Sequence, residues 1–508
     1  DAQKGYRRMA HRTVTVISSL FLVGLLLGPL MFLIHFSGLS LNLTSSDMAA
    51  IEFTFVQAAY SATLSTVLAI PVAKALQRQN FWGKQLVVLF LGAPFILPVI
   101  VAVLGLILVF GNNGVINNIL NFFGFEPFKI YGLWGVVLAH VFFNLPLAIR
   151  IILQGLNDVP GEQYRLILSL KLSLSQKFFA LDWPVLKKVC PSIWAVVFAI
   201  CLSSFAVALT LGGGPKATTV ELAIYQSFFY DLDFAKAAQL ALVQVFLVFS
   251  VVVASQFIIR PETVLGLNIK IFNYSHSRFE KILDFLIIVV TLLFILTPIS
   301  VIFFFGSAGI FSLPPSVFKA AILSVQIALL SSFMSVFLGL CLTTKIGEVV
   351  GSLGIAVSPI VMGAGTFLML KNFGNPYLLA IPVTATVNAL ISLPFVIRIL
   401  KPPAEEIRTE FDNLSRAIGL AGIYWIWWVY LRRLKRPIGF SLGLAAALSM
   451  GDLGVIVLFG SGEIATLPLK IYQLMGSYRS EEALASALLL SLLAFGSFAV
   501  FDRIGRML

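Results

Sequence analysis

In a chain this apolar, the few residues able to do chemistry are judged by where they stand. Asp452 is the carboxylate best placed inside an apolar stretch, and it aligns with Ser204 in the first half. An ionisable side chain at membrane depth costs about 2.5–3.5 kcal/mol on insertion scales, so its presence calls for a role. It could line the outer part of a transport pathway and favour a cation. It could equally hydrogen-bond a neighbouring helix or cap a chain break at Gly451 and Gly454. His140 and Asn144 stand one helical turn apart, and Asn388 and Ser392 repeat the pair, so each pair marks one helix face. Such a stripe suits either a central pathway or hydrogen bonding between helices. Other chemistries find no support. No Gly-x-x-x-x-Gly-Lys-Ser/Thr occurs, and Gly212-Gly213-Gly214-Pro215-Lys216 lacks the spacing of a phosphate loop. His11, His35, His140 and His276 are dispersed, and Cys190, Cys201 and Cys341 lie in or beside apolar segments without metal-ligand spacing. The expectation is a non-enzyme with no catalytic residue, metal or cofactor of its own.

The elements that must hold these residues are membrane helices. The chain has 508 residues, 59% of them hydrophobic and 11% charged, with a mean hydropathy of +0.98, which suits lipid as solvent. Runs near the roughly 20 residues needed to cross about 30 Å of hydrocarbon recur throughout. The predicted spans are Thr13–Phe36, Glu52–Leu76, Leu86–Phe110, Leu133–Leu153, Cys190–Leu211 and Lys236–Ile259, then Ile282–Phe305, Val317–Thr343, Leu353–Leu370, Tyr377–Ile399, Ile438–Gly460 and Glu481–Phe501. The fold class is therefore an all-α polytopic membrane protein of 12 transmembrane helices. The net charge of +12 is a topology signal and not a nucleic-acid patch. With Lys4, Arg7, Arg8 and Arg12 placed in the cytoplasm, most of the 35 Lys and Arg fall on that side, in short helix-flanking loops. Both termini are expected there. The first run is too long for a signal peptide and is expected to be retained.

The chain repeats itself. Leu145-Pro146-Leu147-Ala148-Ile149-Arg150 returns as Leu393-Pro394-Phe395-Val396-Ile397-Arg398 at an offset of 248. Gly212 and Gly214 return as Gly460 and Gly462, and Ile224-Tyr225-Gln226 as Ile471-Tyr472-Gln473. An even number of crossings per copy gives two parallel six-helix repeats, 1–259 and 282–508, joined by a cytoplasmic linker over 260–281. Each copy carries a cytoplasmic insert, 157–189 and 401–437. Leu166, Leu170, Leu174 and Phe178 line one face of the first, and Leu414, Ile418 and Leu420 one face of the second. An exposed apolar stripe needs a partner or the lipid interface. Trp425, Trp427, Trp428 and Tyr430, followed by basic residues, read as an interfacial anchor. On the outer side, loops over 111–131, 212–235 and 461–480 offer a docking face with Tyr225, Gln226, Asp231, Asp233, Tyr472, Gln473 and Arg479 as its candidates.

The inserts resemble the EAA loops of the membrane subunits of bacterial ABC importers. Leu181-Asp182-Trp183-Pro184 falls where that pattern closes, Gly419 keeps its glycine, and Lys171 occupies the glycine's place in the first copy. The resemblance implies that each insert is a coupling helix seated in a cytoplasmic ATPase subunit, so that two copies of the ATPase bind and hold the ATP and Mg. Leu170, Leu174 and Ile418 would be the knobs and Glu162, Arg165, Glu410 and Arg416 the rim, with Leu166, Lys171, Leu414 and Gly419 in the contact. The outer segments from Gly212 and from Ser449 resemble the fused membrane subunit of the bacterial thiamine ABC importer, in the binding-protein-dependent type I family. That likeness implies an inner-membrane permease to which a periplasmic binding protein delivers thiamine or its phosphate esters. His140, Asn144, Ser204, Asn388, Ser392 and Asp452 are its candidate pathway residues. A fused ferric iron permease has the same six-plus-six plan, and an ion-coupled secondary transporter is the alternative of another class.

Overall fold

The computed structural model describes residues 2–38, 43–159, 162–163, 166, 170, 174–256, 278–417, 420, 422–460 and 464–507. Among them every regular element is helical, as lipid demands of a chain whose backbone groups must be satisfied internally. The first half contains α1 (Ala2–Ser37), α2 (Ser45–Arg78), α3 (Val99–Phe110), α4 (Leu133–Asn157), α5 (Trp183–Leu202), α6 (Val220–Phe229) and α7 (Phe234–Gln256). The second contains α8 (Arg278–Gly309), α9 (Pro315–Cys341), α10 (Pro359–Lys371), α11 (Ala380–Ala417), α12 (Arg432–Met450), α13 (Leu467–Gly476) and α14 (Ser480–Met507). Thr44 opens α2 with a capping box closed by Asp47.

Ten helices among the described residues are long and apolar enough to cross a membrane, against the 12 spans expected. The shortfall has two causes. Ser358-Pro359 starts α10 late, leaving 13 residues, too few to cross at 1.5 Å per residue. Arg432, Arg433, Lys435 and Arg436 load the first turns of α12 with charge. Three further spans differ from expectation. Leu86–Phe110 is not one helix, because Pro94 and Pro98 divide it into Lys84–Phe90, Ala93–Ile96 and α3. The fifth helix of each half breaks, at Ser203-Ser204 before Phe205–Leu211 and at Gly451–Val455 before Ile456–Phe459. Conversely, α11 does not stop near Ile399 but runs 38 residues through Pro394, Pro402 and Pro403. Its extension is held from the side, where Ala404 and Ile407 pack under Tyr430 and Leu434.

The contacts between helices recur when the halves are exchanged. Helix α1 packs on α7 and reaches across to α10, and α8 packs on α14 and reaches across to α3. The crossings use the same device twice, since a methyl in place of Gly365 would stand 2.7 Å from Pro29 O, and one in place of Gly105 would press still harder on Pro298 O. Small residues let backbones approach where no hydrophobic force drives helices together in lipid. Thr54 of α2 accepts a hydrogen bond from Val220 N at 2.9 Å, and Ser324 of α9 accepts one from Leu467 N at 2.8 Å. The short helices α6 and α13 are thus pinned at their starts in the same way.

Candidate functional site

The inserts are the largest polar interruptions, and the structure describes parts of both. Leu166, Leu170 and Leu414 are exposed, as are Glu162 and Glu410. Arg165, Lys171, Ile418 and Gly419 lie outside the described residues, and of Leu174 and Arg416 only the helical backbone is described. Each insert returns to the membrane through a π-helical turn, Phe178–Asp182 in the first and Ile426–Leu431 in the second. Such turns re-aim a side chain and recur at functional sites. Here they turn Asp182 and Tyr430 inward, and both are buried.

These two residues occupy equivalent places and meet equivalent partners. Asp182 pairs with Lys74, near the end of α2, at 2.6 Å, and the same ammonium sits 4.5 Å from the Phe178 ring centre. The Tyr430 hydroxyl shares a hydrogen bond with Thr343, just past the end of α9, at 3.2 Å. Arg408 donates to the Thr343 hydroxyl at 2.7 Å and to Tyr430 at 3.0 Å, tying the α11 extension into the same node. Each insert is therefore joined to the end of one long membrane helix through a short polar link. The aromatic run divides accordingly: Trp427 and Trp428 are exposed, as an interfacial anchor requires, whereas Trp425 stacks on Tyr430 at 5.4 Å between ring centres. Sequence reading missed Lys74, Arg408 and Thr343, because a charged or hydroxyl residue near a helix end looks like ordinary solvation, and it named Asp182 only as part of the pattern's close. We expect Asp182→Asn to weaken coupling without loss of the protein, lowering uptake per ATP hydrolysed several-fold. An unchanged ratio would show that the link carries no force.

At membrane depth the paired stripes are buried within their own halves. His140 Nδ1 lies 3.2 Å from Ser61 Oγ, and Asn144 donates to His140 O at 2.9 Å and to Cys201 Sγ at 3.4 Å. Asn388 donates to Ser449 Oγ at 3.0 Å, and Ser392 to Ser335 Oγ at 3.0 Å. These bonds tie α4 to α2 and α5, and α11 to α12 and α9, which is the interhelical role. Ser204 and Asp452 sit, half-buried, at the two helix breaks. The Asp452 carboxylate accepts from Gly454 N at 3.3 Å and Val455 N at 3.4 Å, so it does cap the break.

Of the expected docking residues, Gln226, Asp231, Asp233, Gln473 and Arg479 are exposed, and Tyr472 is half-buried. Tyr225 is buried, stacked on Phe229 with ring centres 5.5 Å apart and edge-on to Phe205 at 5.5 Å, so it offers no docking face. Helix α6 is apolar enough to fold inward, against the expectation of a solvated loop. Just past α6 and α13, Leu232 and Tyr478 adopt left-handed backbone with φ of 53° and 58°. Both side chains are well exposed. Left-handed backbone at a non-glycine residue is uncommon, and here it recurs at matching places in both halves.

No family model matches the chain. Its relatives are more informative. The Thiamine transport system permease protein ThiP of Escherichia coli (strain K12) is 37% identical over 478 residues, covering 89% of this chain and 88% of that protein. The same protein of Salmonella typhimurium is 36% identical over 532 residues, 98% of each. The chain belongs to the thiamine transport system permease family. A more distant match covers less of the chain. A probable sulfate transport system permease protein of Helicosporidium is 28% identical over 212 residues, which cover 42% of this chain but 78% of the relative. Like other members of the thiamine permease family in bacteria, the chain is a multi-pass inner-membrane permease subunit of an ABC importer.

Proposed function

We propose that this chain forms the whole membrane pathway of an ATP-driven importer for thiamine or its phosphate esters. The carrying observation is identity of 36% along nearly the full length of a permease named for thiamine transport. In this reading two parallel repeats, 1–259 and 282–508, alternate between outward and inward openings, with both termini in the cytoplasm. Two copies of a cytoplasmic ATPase seat the exposed Leu166, Leu170 and Leu414, and those subunits hold the ATP and Mg. A periplasmic binding protein docks on Gln226, Asp231, Asp233, Gln473 and Arg479, with Leu232 and Tyr478 as apolar contacts. ATP binding closes the ATPase pair, and the inserts transmit that motion to α2 and α9 through the Asp182 and Tyr430 links.

The test is binding-protein-dependent uptake by the reconstituted complex, with labelled thiamine in one arm and ferric iron in the other. Thiamine should accumulate with ATP and iron should not. Uptake of iron alone, or thiamine uptake driven by an ion gradient without ATP, would overturn the reading.

A further inference from the structure

Glu221 opens α6 in a stretch whose outer placement suggests solvent, yet its side chain is 0% exposed. Gln244 of α7 donates to Glu221 Oε1 at 3.2 Å and to Leu202 O at 2.8 Å. Glu221 Oε2 and Gln244 Oε1 are both buried and have no hydrogen-bond partner in the protein. Two orphan acceptors side by side, one of them a carboxylate, are expensive to hold out of water unless a donor joins them.

The second half closes over this corner. Helix α6 packs on α10 and on Ile456–Phe459. Ser358 caps α10 and Asp452 stands in the break before Ile456–Phe459, so each lies at the start of an element on which α6 packs. The loop bearing Asp452 is fixed there, since a methyl in place of Gly454 would stand 2.7 Å from the Pro359 Cβ. The described ion pairs of Lys74, Arg78, Lys236, Lys401, Arg479 and Arg506 engage other carboxylates. One turn along α6 from Glu221, Tyr225 lies 5.7 Å from Tyr230 between ring centres, and Tyr472 from the other half packs against the same apolar cluster as Tyr225. Electron-rich ring faces of this kind attract cations.

We propose that Glu221 and Asp452, one from each half, form an internal site for a single aromatic organic cation bearing N–H donors. The orphan Glu221 Oε2 and Gln244 Oε1 accept the N–H groups, carboxylate charge attracts the positive ring, and the tyrosines form the outer wall. The site spans the seam between halves, so separating them opens it and bringing them together expels its occupant. Thiamine has both required features, an aminopyrimidine and a cationic thiazolium. The proposal rests on the import reading and adds a binding step inside the membrane.

The experiment uses the full permease–ATPase complex in nanodiscs, with equilibrium binding of labelled thiamine measured in the absence of binding protein. An uncharged thiophene analogue of thiamine is the comparison, and uptake is followed in proteoliposomes. Glu221→Gln and Asp452→Asn keep side-chain shape, and size-exclusion elution as an intact complex checks assembly. We expect wild type to bind thiamine at least tenfold more tightly than the analogue, each variant to lose tenfold or more in thiamine affinity, and the preference for the cation to shrink in both. Thiamine uptake by wild type together with unchanged affinity and uptake KM in both variants would overturn the site while leaving the import reading intact. Failure of wild type to transport thiamine at all would overturn the import reading and the site with it.

Discussion

Gly105→Leu and Gly365→Leu should each cost about 3 kcal/mol or more, the upper end of what overpacking a filled interior does. The reason is that the obstructing atom is backbone. A new Cβ at Gly365 would stand 2.7 Å from Pro29 O and 2.8 Å from Pro29 Cβ, and one at Gly105 would also meet Ile302 Cδ1 at 2.9 Å. A flexible side chain can swing aside, but a helix carbonyl moves only with its helix. Both sites lie where the first helix of one half crosses the third helix of the other, so relief requires prying the halves apart. Gly24→Leu and Gly496→Leu serve as controls, because nothing lies within 4 Å of a Cβ at either. Thermal unfolding of purified protein should place both seam variants well below both controls. Equal midpoints would mean that α1·α10 and α8·α3 are not close-packed seams.

Those seams were partly legible in the sequence. The 248-residue repeat pointed to equivalence between the halves, but the seam pairs Pro29/Pro298 and Gly105/Gly365 stand outside that register, at offsets of 269 and 260, so the repeat did not reveal them. What the sequence hid was the exchange of first helices between halves, because hydropathy says which residues face lipid and not which neighbour they meet. The stripes at His140/Asn144 and Asn388/Ser392 were legible as buried polar faces, and their hydrogen bonds favour helix-to-helix linkage. The chain breaks were harder. Pro98 and Pro359 mark theirs, but Ser203-Ser204 carries no strong breaker and its break shows only in the fold. Pro402-Pro403 misleads in the other direction, since lateral packing of Ala404 and Ile407 keeps α11 helical past two residues that normally end a helix. Glu221 was illegible for a different reason. A carboxylate in a loop between membrane spans looks solvated, and only the inward fold of α6 reveals it as buried.

Leu170→Asp should abolish co-purification of the ATPase through the first insert, and Leu414→Asp should do the same through the second. Each leucine is more than half exposed, at 57% and 55%, on a surface that faces the cytoplasm in the proposed topology. A knob of this kind gains its binding energy by leaving water, and anchors at the centre of an interface cost about 2 kcal/mol or more when truncated. Aspartate goes further, because it must carry an unpaired charge into the socket. Binding should fall at least thirtyfold, the factor that about 2 kcal/mol implies. Leu378→Asp is the control, a still more exposed leucine (80%) in the segment between α10 and α11, on the opposite side of the proposed topology. The two inserts are built differently, and the test can read that difference. The second continues α11 as one helix to Ala417, with Arg408 bracing it on Thr343 and Tyr430. The first is separated from α4, which ends at Asn157, and regains the membrane through the Lys74–Asp182 pair. A rigid extension transmits displacement without loss, whereas a hinged one transmits only what its single link can hold. Leu414→Asp should therefore reduce uptake more than Leu170→Asp at matched ATPase occupancy. Retained association in both variants would place the sockets elsewhere on the chain.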